Sequence, residues 1–166
     1  MTGPDYIEGL ENKGVFDDLK YLLVSNGESD EMLDSLFSTL EEHNTDVIFD
    51  PAPVKNAEKF FEQADYITPN EAEYEKLEFE TDATVIKTSS EGAEVEGYQV
   101  EAPEVDPVDT TGAGDVFNGY LAAGLSQGLD VEEAMEDAVY AASLSVTEQG
   151  AQPSIPDEEA VNTLKP

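Results

Sequence analysis

The sequence predicts a single α/β domain, a three-layer α/β/α sandwich built around a sheet with parallel strands. Short apolar runs of the length of buried strands alternate with segments whose apolar residues recur at helical spacing. The chain has 166 residues, about the length of one domain, so residues 1–166 are expected to form one. Because ligands of such sheets bind beyond the carboxyl ends of the strands, a site is expected in the segments that follow the strands.

Three short apolar runs predict buried strands in the first half of the chain. They are residues 21–24, 46–49 and 66–68. Helical spacing of apolar residues predicts helices over residues 32–40, 55–64 and 71–77, the first with Ser29 as its N-cap. Residues 1–14 are polar and contain glycine, and no element is predicted there.

The second half continues the alternation. Residues 84–86 predict a fourth strand, and residues 93–95 and 98–100 predict a hairpin that turns at Gly97. Two longer helices are predicted over residues 112–127 and 131–149. The second of these is rich in alanine, and such small residues allow a helix to approach its neighbour closely.

The charge balance is extreme, with seven lysines, no arginine, 39 acidic residues and a net charge of −32. Nucleic acids and anionic membranes are poor partners for such a surface, because their phosphates need clustered cations. A disordered acidic tail, a cation-binding protein or a surface adapted to high salt could each account for it. The acids are spread from Asp5 to Glu159 without the spacing of a calcium loop, which favours the surface adapted to high salt.

Further classes are excluded by composition. The chain has no cysteine, and therefore no disulfide and no thiolate metal site. Its apolar runs are too short for a membrane span, and its first residues lack the pattern of a signal peptide, so the cytoplasm is the expected compartment.

The most informative segment is Asp-Thr-Thr-Gly-Ala-Gly-Asp at residues 109–115. Two glycines and an alanine open an amphipathic helix there, which leaves backbone N–H groups accessible to an anion that the helix dipole also favours. Asp115 falls in the first turn, where a carboxylate could take a proton from an attacking hydroxyl. The alternative is an ordinary turn into a helix, with aspartate favoured at the helix start.

These seven residues resemble the signature of the ribokinase or PfkB family of ATP-dependent carbohydrate kinases. Residues 50–53, 68–73 and 150–156 also match family segments, in the expected order. The likeness runs from about residue 15 to the end. It implies a ribokinase-like sandwich that lacks the N-terminal strands and β-lid, in which the longer family members bind the sugar.

The resemblance implies phosphoryl transfer from ATP to a sugar hydroxyl, with Asp115 as catalytic base. Gly112, Ala113 and Gly114 would form the anion hole for charge developing on the transferred group. Asn70 and Glu73 match the pair that organises Mg²⁺ and the nucleotide phosphates, the glutamate through water.

Two other sets of positions match family sites. The nucleotide loop and the helix beside the adenine correspond to Lys87, Thr88, Ser89, Gly92 and Val139. The site for a monovalent cation, K⁺, corresponds to Asp109, Thr111, Ser145, Glu148, Gly150 and Ser154, several of which would bind through backbone carbonyls.

The chain departs from the family at three points. Ser89 stands where the nucleotide loop has its first glycine, and serine would be strained if that position requires a positive φ. The stretch between Glu73 and Thr84 is short, and nothing matches the sugar-binding half. The alternative function is therefore a non-catalytic nucleotide-binding remnant or a partner subunit of a split kinase. Expected partners are a sugar and ATP, with a homo-oligomer or a separate N-terminal half also open; a third possibility is an acidic α/β binding domain with a chance match.

Overall fold

A computed structural model of the chain describes residues 3–165. It contains a six-stranded sheet with the strand order β1-β2-β3-β4-β5-β6, in which the first four strands run parallel and the last two are antiparallel additions. The chain divides into two compact units, Met1–Val85 and Ile86–Pro166. Strand β4 (Thr84–Ser89) begins in the first unit and continues in the second. No helix in residues 3–165 has the length and apolar character needed to cross a bilayer.

The first unit places three parallel strands between helices. Its elements are α1 (Gly3–Glu11), β1 (Tyr21–Ser25), α2 (Asp30–Leu40), β2 (Asp46–Asp50), a 3₁₀-helix (Ala57–Gln63), β3 (Tyr66–Ile67) and α3 (Glu71–Tyr74). The register pairs Leu22 with Val47 and Phe49 with Ile67. The side chain of Ser29 accepts a hydrogen bond from the N–H of Met32, so the predicted N-cap of α2 is confirmed.

Aromatic rings fill the core of this unit. The ring centroid of Phe49, in the central strand of this unit, lies 6.0 Å from the ring centroids of Phe37 in α2 and Phe60 in the 3₁₀-helix, and 6.3 Å from that of Phe61. Phe37 also stacks on Phe60 at 5.3 Å. Buried aromatic rings remove a large apolar area from water, and they contribute strongly to the core of a unit whose strands are only two to five residues long.

The second unit combines an antiparallel extension of the sheet with a helical pair. Its elements after β4 are β5 (Gly92–Val95), β6 (Tyr98–Glu101), α4 (Ala113–Gln127), α5 (Val131–Ser145) and α6 (Glu158–Leu164). A Cβ added at Gly124 of α4 would lie 2.9 Å from the Cβ of Ala134 in α5, which confirms the close approach predicted from small residues. Ala134, Ala138 and Ala141 are fully buried.

The hairpin turn predicted at Gly97 is confirmed. Val95 and Tyr98 form the last pair of the ladder, so the loop contains two residues. Both have positive φ, 49° at Glu96 and 85° at Gly97, as the favoured two-residue hairpin turn requires.

Three predicted helices require correction, and two short helices were missed. Helices α1 and α6 were not predicted, because each is short and buries one residue, Ile7 and Val161 respectively, so that little periodicity is visible. The predicted helix 55–64 is a 3₁₀-helix, entered through Asn56 in the left-handed conformation at φ 57°. The predicted helix 71–77 stops at Tyr74, where the next hydrogen bond, from the N–H of Lys76 to the carbonyl of Glu73 at 3.0 Å, spans three residues and not four. The predicted helix 131–149 ends at Ser145, after which the backbone turns.

The charge distribution leads to a prediction on salt. Lys59 pairs with Asp34 at 2.6 Å and Lys165 pairs with Asp137, but seven lysines cannot neutralise 39 carboxylates. We expect the melting temperature to rise steeply between about 0.05 M and about 2 M KCl, because the Debye length shrinks to about 3 Å at 1 M. A non-ionic osmolyte serves as the control and should not substitute for KCl. A melting temperature that is independent of salt would contradict the predicted adaptation to high salt.

Candidate functional site

The amino end of α4 is left open by its sequence. Gly112 is the N-cap, with φ 83°, and it provides no side-chain hydrogen bond. The N-caps described for α2, α3, α5 and α6 all accept one from the first turn, through Ser29, Asn70, Asp130 and Asp157. The N–H of Ala113 donates to the carbonyl of Thr110 at 3.3 Å, and no side chain caps the N–H groups of the following residues, Gly114 and Asp115, so these two are suited to an anion.

The two glycines of this turn, Gly112 and Gly114, have different structural roles. A Cβ at Gly112 would lie 3.0 Å from the Cβ of Ala151, and its φ of 83° is one that residues with a Cβ avoid. A Cβ at Gly114 would meet nothing within 4 Å, so open space lies beside the backbone there. Asp115 lies in the first turn of α4 and is exposed. An exposed carboxylate next to open N–H groups can accept a proton from a hydroxyl beside a bound anion.

Asp109 ties the loop before α4 to the loop after α5. One carboxylate oxygen, Oδ1, accepts the N–H of Thr111 at 3.0 Å, and Oδ2 accepts the N–H of Gly150 at 3.0 Å. The N–H groups of Val108 and Asp109 both donate to the carbonyl of Val146, at 2.7 and 3.1 Å. Hydrogen bonds from the side chain and backbone of Thr111, and then from Gly150, hold the pKa of the Asp109 carboxyl below its ordinary value.

This link gives a prediction on pH. A carboxyl with a lowered pKa in the folded state stabilises the fold above its ordinary pKa of 3.8, and that contribution is lost as the pH falls through the lower folded value. The amide resonance of Gly150 should therefore titrate with a midpoint below 3.8 in molar KCl. Asp109→Asn should abolish this titration, while Asp106→Asn, at an exposed position outside the link, should leave it unchanged. A midpoint at or above 3.8 in the parent protein would contradict the geometry.

The remaining predicted cation-site residues surround this loop. The hydroxyls of Ser145 and Ser154 are buried and donate to the carbonyls of Ala142 and Ala151, whereas Glu148 is exposed. Gly150 has a φ of 90°. Within residues 3–165 no group of three or more His, Cys, Asp or Glu side chains could hold a metal ion. A cation bound here would therefore need carbonyl and hydroxyl oxygens besides the carboxylate of Asp109, and carbonyl oxygens are donors that K⁺ takes.

Asn70 and Glu73 lie in the first unit, at the start of α3, and bond to each other. The Asn70 side chain accepts the N–H of Glu73 at 3.0 Å, and the Glu73 carboxylate accepts the N–H of Asn70 at 2.9 Å. This reciprocal capping box holds both side chains in fixed orientations. Two residues earlier the Thr68 hydroxyl is buried and has no hydrogen-bond partner among the described residues.

The predicted nucleotide loop differs from expectation. Lys87, Thr88 and Ser89 belong to β4, which turns directly into β5 at Gly92. The strain that Ser89 would carry at a positive φ does not arise, because the described non-glycine residues with positive φ are Asn56 and Glu96. Ser89 instead caps the turn, its hydroxyl accepting the N–H of Glu91 at 3.1 Å. The reason is that β4 extends beyond its predicted end at residue 86, so that Ser89 has strand geometry.

In this hairpin it is Gly92, and not Ser89, whose backbone conformation requires a glycine. Its φ is 130°, and an added Cβ would lie 1.9 Å from the carbonyl oxygen of Val100. Val139 of α5 is buried, and its carbonyl accepts the hydroxyl of Ser143 at 2.8 Å. Its proposed place beside an adenine stays a prediction.

The second unit thus unites Asp109, Thr111, Gly112 and Gly150 in one hydrogen-bonded pair of loops. Sequence reasoning missed the carbonyl of Val146 and the methyl of Ala151, which complete these contacts. Ala151 directly follows Gly150, which has a positive φ. Nothing in the local sequence indicates that this turn contacts Gly112, 39 residues earlier in the chain.

Comparison with known proteins gives consistent matches. Residues 8–158 match the model of the pfkB family of carbohydrate kinases. The chain is 34% identical over 158 residues to a ribokinase of Bacillus subtilis, covering 86% of this chain and 54% of the relative. It is 39% identical over 97 residues to an ATP-dependent ribose-1-phosphate kinase of Halopiger xanaduensis, covering 55% of this chain and 32% of the relative.

The fold is similar to that of a solved ribokinase from Thermotoga maritima, with a TM-score of 0.79 and 35% identity over 91% of this chain and 58% of that one. This likeness confirms the predicted α/β fold. The chain spans about half the length of the curated relatives that match along most of it.

Proposed function

The chain belongs to the pfkB family of carbohydrate kinases, and from this membership we propose that it carries the ATP-binding and catalytic part of an ATP-dependent sugar kinase. The observation that supports the proposal most directly is the open amino end of α4, where Gly112 and Gly114 expose backbone N–H groups and Asp115 lies in the same turn. Such a terminus is suited to a phosphate group.

In the proposed reaction, a sugar hydroxyl attacks the γ-phosphorus of ATP and Asp115 accepts the proton of that hydroxyl. The bond between the γ-phosphorus and the bridging oxygen breaks, and its electron pair leaves with ADP. The N–H groups at the start of α4 stabilise the negative charge on the transferred phosphoryl oxygens, and the helix dipole adds to this effect. This turn would therefore contribute both the general base and the anion hole of the reaction.

Two cations are part of the proposal. Asn70 and Glu73 would organise Mg²⁺ and the nucleotide phosphates, the glutamate through water, and amide and carboxylate oxygens are donors of the kind that this ion accepts. When bound, Mg²⁺ neutralises charge on the nucleotide phosphates. Asp109 and the loop at Gly150 would hold K⁺, for which a carboxylate of lowered pKa among carbonyls and hydroxyls is a fitting donor set.

A pair of glycine substitutions tests the binding site. We expect Mg-ATP to bind the parent chain in molar KCl, and Gly114→Asp to abolish the heat of binding by adding a negative charge at the anion site. Gly119→Asp is the matched control, because Gly119 lies in the same helix, is exposed and also has nothing within 4 Å of an added Cβ. No calorimetric heat from the parent at millimolar Mg-ATP would refute the assignment, as would equal binding by both variants.

The second candidate function is a nucleotide-binding partner subunit without catalysis of its own. The chain covers 54% of the Bacillus subtilis ribokinase, so a fair test of catalysis includes the remaining part of such a relative. An assay that couples ADP formation to ribose phosphorylation distinguishes the two functions. Binding of Mg-ATP without any turnover, even with the remaining part of a relative supplied, would select the second.

A further inference from the structure

Helix α3, whose first turn carries Asn70 and Glu73, is too short to be stable through its own hydrogen bonds. It contains four residues, and none of them is buried. Two of its backbone hydrogen bonds run from the N–H of Tyr74 to the carbonyl of Asn70 at 2.8 Å and from the N–H of Glu75 to the carbonyl of Glu71 at 3.1 Å. A single helical turn is unstable in water, because fixing the first turn is unfavourable and few hydrogen bonds follow. The orientation of the Asn70–Glu73 pair therefore depends on contacts with the rest of the first unit.

The stretch of chain after α3 is fixed on the 3₁₀-helix. The Glu58 carboxylate accepts the N–H of Glu78 at 2.8 Å, and the Thr81 hydroxyl donates to the carbonyl of Phe61 at 3.0 Å. Phe79 lies between these two hydrogen bonds in the chain, and its ring stacks on that of Phe61 with centroids 5.3 Å apart and planes 3° from parallel. Phe61 is 1% exposed and belongs to the core. Phe79 is therefore held both by its ring and by hydrogen bonds on either side of it in the chain.

Tyr74, the last residue of α3, stacks on this fixed ring. Its ring centroid lies 4.9 Å from that of Phe79, and the two planes are inclined by 20°. Phe61, Phe79 and Tyr74 thus form a three-ring stack that runs from the core to the surface, where Tyr74 is 41% exposed. Stacked aromatic pairs at such separations attract each other beyond the effect of the apolar area that they bury. The three-ring stack consequently links α3 to the core at the residue that follows Glu73.

We propose that Tyr74 is a positioning residue for the Asn70–Glu73 pair. The three-ring stack holds α3 in its helical turn, and the reciprocal capping box of that turn then orients the amide and the carboxylate. Tyr74 acts through Glu73, its neighbour in the chain. The proposal rests on the proposed function, in which this pair organises Mg²⁺ and the nucleotide phosphates. A pair that is already ordered binds more tightly, because none of the binding free energy is used to order it.

The first measurement is amide exchange by NMR, made on this chain without ligand in molar KCl. The N–H of Asn70 donates to the Glu73 carboxylate at 2.9 Å, so its exchange reports whether the capping box is formed. Tyr74→Ala should speed this exchange about three- to tenfold, the factor that corresponds to one stacked pair. Tyr74→Phe should exchange at the parental rate, because it keeps the ring. Phe79→Leu removes the middle ring and should reproduce the effect of Tyr74→Ala.

Tyr6→Ala is the matched control for these variants. Tyr6 is an exposed tyrosine of α1, at 49%, and is not a member of the three-ring stack. Its replacement should leave the exchange at Asn70 unchanged. Melting curves of all variants establish that they are folded.

Calorimetry with Mg-ATP connects the three-ring stack to the proposed site. Tyr74→Ala should raise the Kd for Mg-ATP about three- to tenfold, because a smaller fraction of the molecules has an ordered pair. Tyr74→Phe should restore the parental Kd. The weakening should be smaller for ATP in EDTA, since the pair acts on Mg²⁺.

The proposal is overturned if folded Tyr74→Ala keeps the parental exchange at Asn70 or the parental Kd for Mg-ATP, or if Tyr74→Phe is equally defective. A loss of the same size in EDTA would reveal a merely structural effect and would overturn it as well. A parent chain that binds no Mg-ATP refutes the proposed function instead. The exchange at Asn70 then still decides whether the stack holds the pair.

Discussion

Replacing Asp115 by asparagine is expected to slow phosphoryl transfer by about 10²- to 10⁴-fold, the usual effect of removing a general base. Asparagine has almost the same size as aspartate but cannot accept the proton of a sugar hydroxyl. Mg-ATP should bind as well or slightly better, because one negative charge near the phosphates is removed. The decrease should therefore appear in kcat and not in nucleotide affinity.

The competing explanation gives Asp115 only the electrostatic role of an acid in the first turn of a helix. That role is worth about 0.3–1 kcal/mol of stability and does not affect turnover selectively. Asp130→Asn is the matched control, because Asp130 is the N-cap of α5, accepts the N–H of Glu133 at 2.9 Å and can be replaced in that function by asparagine. The measurement needs a melting curve, a binding isotherm and a rate, taken with the remaining part of a relative supplied if the chain alone does not turn over. An Asp115→Asn enzyme that works at the parental rate would refute the proposed mechanism.

The sequence predicted secondary structure correctly where a few adjacent residues determine the backbone conformation. The strands β1, β2 and β4 were predicted from runs of apolar residues, and the two-residue turn at Gly97 followed from the residues on either side. The opening of α4 was predicted for the same reason, since two glycines separated by an alanine before an amphipathic pattern mark an uncapped helix start. In each case a few adjacent residues determine the backbone conformation.

The sequence predictions failed or were incomplete where contacts between residues distant in the chain determine the structure. Nothing local identifies α6, whose single buried residue, Val161, packs in a cluster with Val116 and Ala141. The link from Asp109 to Gly150 joins residues 41 positions apart, and only the resemblance to the family, not any local pattern, placed these two residues in one predicted site. The sequence predicted β4 only to residue 86 because its continuation through Ser89 into a tight hairpin is set by the ladder with β5 and not by the residues of the turn alone.

Gly92→Ala is expected to cause the largest loss of stability of any alanine substitution at a glycine of the second unit, about 3 kcal/mol. The added Cβ would lie 1.9 Å from the carbonyl oxygen of Val100 and 2.9 Å from the N–H nitrogen of Ala102. Both contacts are backbone atoms, so no side chain can rotate away, and the strands β5 and β6 would have to separate. The φ of 130° adds strain for any residue with a Cβ.

Gly97→Ala is the matched control for this effect, because Gly97 also has a positive φ, 85°, but nothing lies within 4 Å of an added Cβ. It should lose only the strain contribution, about 1 kcal/mol. Urea denaturation in molar KCl measures both variants without changing the ionic screening that the acidic surface requires. The difference between them isolates the steric contact at Val100, since both carry the strain of a positive φ. Equal midpoints would mean that β6 does not approach Gly92 as closely as described, and the hairpin that carries Lys87 and Thr88 would then need a different register.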